Sequence, residues 1–272
     1  MIYFIITTSL IERDWNIRKN QYQLAIFSLL TFLQPHVFPK DINNKTVEVV
    51  IVENQLANVT EKPASFLDEF GVPVLYTKTN SLPTQNKGLK ELEDIQCCIR
   101  HFNIKDDDFI VKMTGRYIVI NHDTNIEQNG IGNFVRDIGN LLVLYRERFG
   151  HISNNEIGNV FQKSNAFYHN QLEFKPYFLT FLIQNCYTNN CDCIIRYGSY
   201  NDEVSTNPIK DCVTGLIGMR CKYIKQISRP KENECVEHLW ANMSLNIPIE
   251  KVKRLDKLGI YICPASHLYF LV

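Results

Sequence analysis

Glycines and basic side chains flank an apolar run in the stretch between residues 86 and 120. The tripeptide Asn86-Lys87-Gly88 opens a helical pattern, and the apolar run 109–113 leads into Thr114-Gly115-Arg116. Glycine lets the backbone approach an anion closely, and a helix N-terminus supplies N–H groups that have no partner within the helix. In open α/β sheets such groups meet beyond the carboxyl ends of the strands. The pattern therefore predicts a phosphate site, and the side chains expected to bind the diphosphate of a nucleotide there are Lys87, Lys112 and Arg116.

Each of these basic residues also has a purely structural interpretation. Lys112 lies inside an apolar run, where a lone charge is costly unless it is paired. It therefore binds either the diphosphate or an acid, such as Glu53. Arg116 is either a phosphate ligand or a surface residue at the end of a strand. Asn86 is either part of the anion site or a simple N-cap, which would leave Lys87 in solvent. The sequence alone leaves these alternatives open.

Acid–base chemistry has its best candidates in a predicted helix over residues 234–243. Glu237 and His238 lie next to each other in this helix. A general base must come within hydrogen-bonding distance of the hydroxyl group whose proton it removes. We predict Glu237 as the catalytic base, with His238 as the alternative. The structural interpretation of Glu237 is an exposed side chain whose aliphatic stem packs on the core.

Loop residues supply further candidates. Asp202 and Glu203 follow a predicted strand in a polar loop, and we expect them to contact the hydroxyl groups of an acceptor. Asp123 and His267 are the fallback ligands of a divalent metal. A loop carboxylate commonly bonds its own turn, and a lone histidine is commonly structural. The residues therefore predict no definite metal site.

The elements that must position these residues alternate regularly up to Ile120. Apolar runs that are typical of buried strands alternate with helical patterns, and this order calls for a parallel sheet with right-handed crossovers. After Ile120 the pattern is looser, and it contains a strand, a glycine-containing apolar segment, two helices and a last strand. The predicted strands of the first part cover 2–6, 47–52, 72–76 and 109–113, and its helices cover 14–33, 55–71 and 86–103. In the second part the predicted ranges are 194–197, 213–219, 220–227, 234–243 and 260–262.

Composition limits the classes of partner. The 272 residues contain 29 Lys plus Arg and 29 Asp plus Glu, so the formal net charge is zero and nothing favours nucleic acid as a partner. Nine cysteines, an odd number in a long chain, indicate a reducing, cytoplasmic setting and not a secreted disulfide framework. No apolar stretch is long enough to span a bilayer, although peripheral association with a membrane stays open. No linker divides the chain, so we expect a single domain over 1–272, with halves at 1–120 and 121–272.

Four segments of the sequence resemble the GT-A fold of nucleotide-sugar-dependent glycosyltransferases. Three of them lie in the first half. Thr7-Thr8-Ser9 is similar to the loop that starts the nucleobase pocket, and Glu53-Asn54 is similar to the pair that contacts the base or the ribose. Asn86-Lys87-Gly88 resembles the turn beside the donor phosphates. The resemblance implies an α/β fold of GT-A type, with a mostly parallel, Rossmann-type sheet and a less regular acceptor-side half.

The fourth segment lies in the second half, and one expected motif is missing. The stretch 214–220 followed by 234–240 resembles the family's acceptor-side pair, which implies acceptor contacts at Gly215 and a general base at Glu237 in inverting members. The family usually ends its fourth strand with Asp-x-Asp, which holds a divalent metal. Here Thr114-Gly115-Arg116 takes that place. This motif resembles those of glycosyltransferases from bacterial polysaccharide clusters and large DNA viruses. Metal dependence therefore stays open, since either manganese or magnesium or fixed basic side chains can stabilise a departing diphosphate.

The resemblance implies a glycosyltransferase that moves a sugar from a nucleoside-diphosphate donor to a hydroxyl acceptor, either a glycan or a smaller molecule. Whether the reaction inverts or retains configuration stays open. One alternative is a sugar nucleotidyltransferase, but that class normally carries a glycine- and arginine-rich loop after its first strand, where this chain has Thr7-Thr8-Ser9. The other is a non-catalytic protein of the same fold that binds nucleotides or glycans, which the missing Asp-x-Asp makes admissible.

Overall fold

Nine strands are found in the part of the chain that the computed structural model describes, which comprises residues 1–10, 15–37, 46–55, 62–119, 143, 177–185, 190–198, 211–262 and 270–271. Seven of these strands form one mixed sheet, and the other two form a small antiparallel pair. The strands are β1 Ile2–Thr8, β2 Val47–Glu53, β3 Val74–Tyr76, β4 Phe109–Thr114, β5 Cys193–Ile195, β6 Leu216–Arg220, β7 Val252–Arg254, β8 Tyr261–Ile262 and β9 Phe270–Leu271.

Helices flank the larger sheet on both faces. The α-helices are α1 Trp15–Val37, α2 Lys87–His101, α3 Tyr177–Asn185, α4 Cys221–Ile224 and α5 Val236–Leu245. Shorter 3₁₀ segments cover Lys62–Phe70, Thr79–Ser81 and Ile249–Lys251. No helix in the described ranges is long and apolar enough to cross a membrane.

The order of strands in the larger sheet is β3-β2-β1-β4-β6-β5-β7. Strand β1 pairs in parallel with β2 and β4, and β2 pairs in parallel with β3. The mostly parallel, Rossmann-type sheet expected from the first half is thereby confirmed. Strand β6 runs antiparallel to both of its neighbours, β4 and β5. Its amino end therefore lies at the same sheet edge as the carboxyl ends of β1, β2 and β4.

The sheet is buried on both faces because its central strands are apolar at nearly every position. On one face, Phe4 and Ile6 of β1 pack with α1, α3 and the 3₁₀ segment Lys62–Phe70. On the other face, Ile5 packs in a second cluster with Ile95 of α2 and Trp240 of α5. Burial on both faces explains why these strands appear in the sequence as continuous apolar runs and not as alternating patterns.

The structure corrects several predicted boundaries. The predicted basic helix over 220–227 is wrong at both ends, because Arg220 completes β6 and only Cys221–Ile224 is α-helical. Arg220 stays in the strand because its Nε bonds Asp192 at 3.2 Å and its Nη1 donates to the Asp107 carbonyl at 2.7 Å. The strand expected over 194–197 covers Cys193–Ile195. In the range predicted as helix 55–71, residues 62–70 form the 3₁₀ segment Lys62–Phe70.

Candidate functional site

The carboxyl ends of β1, β2 and β4 meet the amino end of β6 at one edge of the sheet. The register pairs Thr8 with Glu53 and Thr7 with Thr114. Across the antiparallel pair, Met113 of β4 lies opposite the first residue of β6, Leu216. Ligands of open α/β sheets bind beyond this edge. The donor-site residues predicted at the ends of β1 and β2 and the segment 114–116 after β4 therefore share one region of the molecule.

Glu53 organises the loops that follow β1 and β2. Its side chain is fully buried. The Thr8 hydroxyl donates to Oε2 at 2.7 Å, and the backbone N–H groups of Leu10 and Gln55 donate to Oε1 at 3.1 Å and 2.8 Å. The next backbone amide after Thr8, that of Ser9, donates to the Tyr22 hydroxyl at 2.9 Å. The carboxylate of Glu53 is thus engaged by the protein, and it shapes the predicted nucleobase loop.

Asn54 and Asp94 form a buried pair on the α2 side of the same edge. The Asn54 amide nitrogen donates to Asp94 at 2.8 Å, and the hydroxyls of Thr77 and Thr79 each donate to Asp94 at 2.5 Å. Burial raises the pKa of Asp94 to about 6, although these three hydrogen bonds oppose the rise. The Asn54 Oδ1 atom is buried and has no donor among the described residues. Asp94 therefore fixes the orientation of the Asn54 amide and ties the ends of β2 and β3 to α2.

Lys112 lies on the same face of the sheet as α2, and it is paired. Only 2% of its side chain is exposed, and its Nζ lies 2.9 Å from Glu91 Oε1. It also donates to the Thr214 carbonyl and lies 3.4 Å from the Thr114 hydroxyl. The acid paired with Lys112 is Glu91, whereas the sequence suggested Glu53. Three protein acceptors occupy the three ammonium protons, which disfavours direct diphosphate binding by Lys112.

Glu237 is joined to Lys112 through Thr214. The Thr214 hydroxyl donates to Glu237 Oε1 at 3.3 Å, and the Cys235 thiol donates to Oε2 at 2.7 Å. Glu237 is half-buried near the start of α5, whereas the neighbouring His238 is exposed. A continuous set of polar contacts therefore crosses the sheet edge, and we call it the Lys112 network. Its members are Thr7, Glu91, Lys112, Thr214 and Glu237.

Asn86 holds the start of α2 against the segment before α5. Its Oδ1 accepts from the Leu89 N–H at 3.0 Å as the N-cap of the helix. Its Nδ2 donates to the carbonyls of Lys231, Glu232 and Glu234 at 2.9–3.2 Å. The side chain is therefore engaged by the protein, which supports a positioning role. Lys87, the first residue of α2, is exposed.

Gly115 and Arg116 follow β4 at the point where it approaches β1. A Cβ atom on Gly115 would lie 2.9 Å from both the Thr7 carbonyl oxygen and Thr8 Cγ2, so only glycine fits without a shift of the backbone. Arg116 lies near Tyr22 of α1. Burial raises the pKa of the Tyr22 hydroxyl, and the nearby guanidinium groups, including that of Arg116, oppose this rise. Arg116 thus neighbours the helix on one face, whereas Lys112 packs below α2 on the other. Binding of one diphosphate by Lys87, Lys112 and Arg116 together stays a prediction.

Gly215 lies directly before β6, beside the ring of Tyr117. Its carbonyl accepts from the Thr114 N–H at 2.8 Å, and a Cβ atom at this position would overlap the Tyr117 side chain.

Four of the predicted site residues lie outside the described residues. They are the acceptor residues Asp202 and Glu203 and the fallback metal ligands Asp123 and His267. Within the described ranges, no group of three or more His, Cys, Asp or Glu side chains is arranged to hold a metal ion.

Glu91, Thr214 and Asp94 were not predicted from the sequence. Glu91 and Asp94 are three residues apart on α2, a spacing that places both on one face of a helix. The requirement of Lys112 for an acidic partner was recognisable in the sequence, but nothing in it singled out Glu91. Nothing in the sequence indicated that the Thr214 hydroxyl donates to Glu237, because this contact depends on the pairing of β6 with β4.

Comparisons with known proteins include a distant structural likeness. No known protein family and no curated protein matches this sequence significantly. Among solved structures, mouse xyloside xylosyltransferase 1 in its apo form aligns with a TM-score of 0.32 and 11% sequence identity, over 95% of this chain and 79% of that chain. This TM-score is too low to carry a functional conclusion.

Proposed function

We propose that this chain is a glycosyltransferase that moves a sugar from a nucleoside-diphosphate donor to a hydroxyl group of an acceptor. The observation that carries the proposal is the Lys112 network. It joins the ends of β1 and β4 to Glu237, so that a carboxylate capable of accepting a proton stands at the edge where a parallel sheet binds nucleotides. A donor and a deprotonated acceptor would therefore meet on the same side of the sheet.

The donor nucleotide lies over the ends of β1 and β2 in this proposal. Glu53 shapes the loop that carries Thr8 and Ser9, and Asn54 presents a buried acceptor oxygen that has no donor among the described residues. An N–H or O–H group of the nucleoside would supply that donor. Arg116 stabilises the negative charge that builds up on the departing diphosphate, and the exposed Lys87 is a second source of positive charge. These side chains serve where the family usually places a metal.

Glu237 acts on the acceptor if the reaction inverts configuration. The acceptor oxygen attacks the anomeric carbon, the bond from that carbon to the diphosphate oxygen breaks, and Glu237 takes the hydroxyl proton. The nucleoside diphosphate leaves with the electrons of the broken bond. Thr214 and Cys235 each donate to one carboxylate oxygen, which orients Glu237 before substrate arrives. His238, exposed in the next position, is the alternative base.

A ligand screen tests the proposal directly. The melting temperature is measured with uridine, guanosine and cytidine diphosphates and their sugars, with and without manganese, because a ligand that binds only the native state raises it. We expect one nucleotide sugar to stabilise the protein and to be consumed when a hydroxyl acceptor is added. Binding without turnover would instead identify a non-catalytic binding protein. Formation of a nucleotide sugar from a nucleoside triphosphate and a sugar 1-phosphate would identify a nucleotidyltransferase.

A further inference from the structure

Glu91 is the one member of the Lys112 network that combines a protein-fixed oxygen with an accessible one. Its Oε1 accepts from the Thr7 hydroxyl at 2.8 Å and from the Lys112 ammonium at 2.9 Å. A quarter of the side chain is exposed, whereas Lys112 is almost fully buried. Among the described residues, Oε2 has no hydrogen-bond partner. A carboxylate whose orientation is set through one oxygen offers the lone pairs of the other to a ligand.

The position of Glu91 within the network indicates which part of a ligand it meets. On one side it contacts Thr7, in the segment expected to start the donor pocket, and on the other side Lys112 and Thr214 lead to Glu237. In any glycosyl transfer the migrating sugar lies between the departing diphosphate and the attacking hydroxyl. We propose that Glu91 binds the donor sugar, with its carboxylate accepting a hydrogen bond from a hydroxyl group of that sugar. This inference rests on the glycosyltransferase function proposed above.

Lys112 has a defined part in this inference. Because it is buried and donates to both Glu91 and the Thr214 carbonyl, it fixes the spacing between the sugar-binding carboxylate and the residue that orients Glu237. Lys112 is therefore a positioning residue, which acts through Glu91 and Thr214 without touching substrate. The proposed hydrogen bond between the sugar hydroxyl and Glu91 has a charged acceptor. Such a bond contributes about 1.5–3 kcal/mol, which corresponds to roughly a tenfold or larger change in affinity.

The test compares two ligands that differ only in the sugar. The probes are the nucleotide sugar that stabilises the wild-type protein in the screen above and the corresponding sugar-free nucleoside diphosphate. We expect Glu91→Gln to raise the dissociation constant of the nucleotide sugar about tenfold or more, while that of the diphosphate changes less than about twofold. Glu93→Gln is the matched control, because Glu93 lies on the same helix, is 24% exposed and is paired with Arg229 at 3.5 Å. It should leave both affinities unchanged.

A second variant guards against loss of folding. Glu91→Gln removes the negative charge beside buried Lys112, so Glu91→Asp is measured as well, since it keeps the charge and shortens the side chain by one methylene. It should melt close to the wild-type temperature and still bind the nucleotide sugar more weakly than wild type. Equal affinity losses for both ligands, or none for either, would overturn the assignment of Glu91 while leaving the glycosyltransferase proposal intact. If the wild-type protein binds no nucleotide sugar, both the assignment of Glu91 and the glycosyltransferase proposal are contradicted.

Discussion

At the scale of single residues, the proposed proton transfer depends on the Glu237 carboxylate. Its two oxygens accept from the Thr214 hydroxyl and the Cys235 thiol, and the side chain is half-buried. Hydrogen bonds of this kind restrict a side chain without removing its ability to accept a proton. The neighbouring His238 is exposed, so its position is less constrained by the fold. This difference makes substitution of Glu237 the sharper test.

Glu237→Gln keeps the shape of the side chain and removes its basicity. We expect the turnover number to fall by about 10²–10⁴-fold, the range of a positioned general base, with the donor dissociation constant unchanged. Steady-state kinetics and donor titration measure the two quantities separately. His238→Gln, on the next residue of the same helix, shows whether the imidazole acts instead. A wild-type rate in the Glu237 variant would transfer the role to His238 or to a residue outside the described ranges.

Arg116 is expected to act on the diphosphate and not on the nucleoside. Arg116→Ala should weaken binding of the nucleoside diphosphate about tenfold or more and change nucleoside binding little, because a charge-assisted hydrogen bond is lost only with the former. Arg18→Ala is a useful comparison, since both guanidinium groups oppose the raised pKa of Tyr22. Calorimetric titration with both ligands gives the two affinities. Similar losses for nucleoside and diphosphate would show that Arg116 supports the fold instead.

Asp94 should make stability depend on pH. Its pKa is raised from an ordinary 3.8 to about 6 by burial, with nearby Glu91 adding to the rise, so the native state keeps a proton that the unfolded chain has lost. Between these values the unfolded state binds fewer protons, and stability falls as pH rises, by on the order of 3 kcal/mol. Asp94→Asn lacks this titration. Urea unfolding at pH 4, 5, 6 and 7 should therefore show the wild-type free energy declining relative to the variant. A constant difference between the two proteins would contradict the assignment.

At the scale of elements, contacts between the start of α2 and the segment before α5 hold the helix that carries Glu237 against α2. Asn86 supplies the N-cap of α2 and three further hydrogen bonds to carbonyls of residues 231–234. Glu232 reciprocates, since it accepts from the Gln85 backbone N–H at 2.7 Å. Gly88 completes the contact, because a Cβ atom there would overlap Val236 of α5. The turn 86–88, which the sequence suggested as part of a phosphate site, therefore joins the start of α2 to α5 and the segment before it.

Asn86→Ala should therefore lower stability more than a cap substitution alone. Losing an N-cap side chain costs about 1 kcal/mol, and the carbonyls left without a donor add to that cost where water does not reach them. We expect a loss of about 2 kcal/mol in the free energy of unfolding, measured by urea denaturation. Gln85→Ala is the control, because this exposed neighbour contributes its backbone to the junction and should cost less than about 0.5 kcal/mol. Equal losses in the two variants would show that the Asn86 side chain is not what holds the helices together.

At the scale of the whole molecule, the Lys112 network links the two halves of the chain. Lys112 lies in the parallel half, its carbonyl partner Thr214 precedes the antiparallel strand β6, and Glu91 lies on α2. Breaking a buried ion pair costs about 3–5 kcal/mol when the remaining charge cannot reach water. Lys112 is 2% exposed and Glu91 25% exposed, so the two partners are not equivalent. Losing Glu91 should therefore cost more stability than losing Lys112, because it leaves a buried ammonium without its counter-charge.

The stability of two variants tests this asymmetry. Glu91→Gln should lower the free energy of unfolding by about 3 kcal/mol because it leaves Lys112 unpaired, and Lys112→Met should lower it less because Glu91 can be hydrated. Urea unfolding of both variants and of the double variant measures the coupling between the sites. The double variant should be more stable than the sum of the two single losses predicts. Additive losses would mean that Lys112 and Glu91 are not energetically coupled, so that their ion pair contributes little to stability.

The sequence by itself determined the parallel half of this protein. Almost entirely apolar runs at 2–6, 47–52 and 109–113 indicate a sheet covered on both faces, and the intervening helical patterns favour parallel pairing. Those local patterns also placed Thr8, Glu53 and Arg116 at strand ends, because a strand ends where its apolar run ends. Glu237 was likewise placed near the start of a helix.

Only the tertiary structure decided which of these residues touch. The acid beside Lys112 is Glu91, 21 positions earlier in the sequence, and one of the two donors to Glu237 is Thr214. The Lys112–Glu91 contact depends on α2 packing on the sheet, and the Thr214–Glu237 contact depends on β6 pairing antiparallel with β4 beside α5. No local pattern specifies such contacts between distant segments. For the same reason the sequence could not show that Asn86 bonds the chain near residue 232, or that Lys112 is held by protein groups. Local residue patterns fix where elements begin and end, whereas the contacts of a buried charge are fixed by whichever elements pack around it.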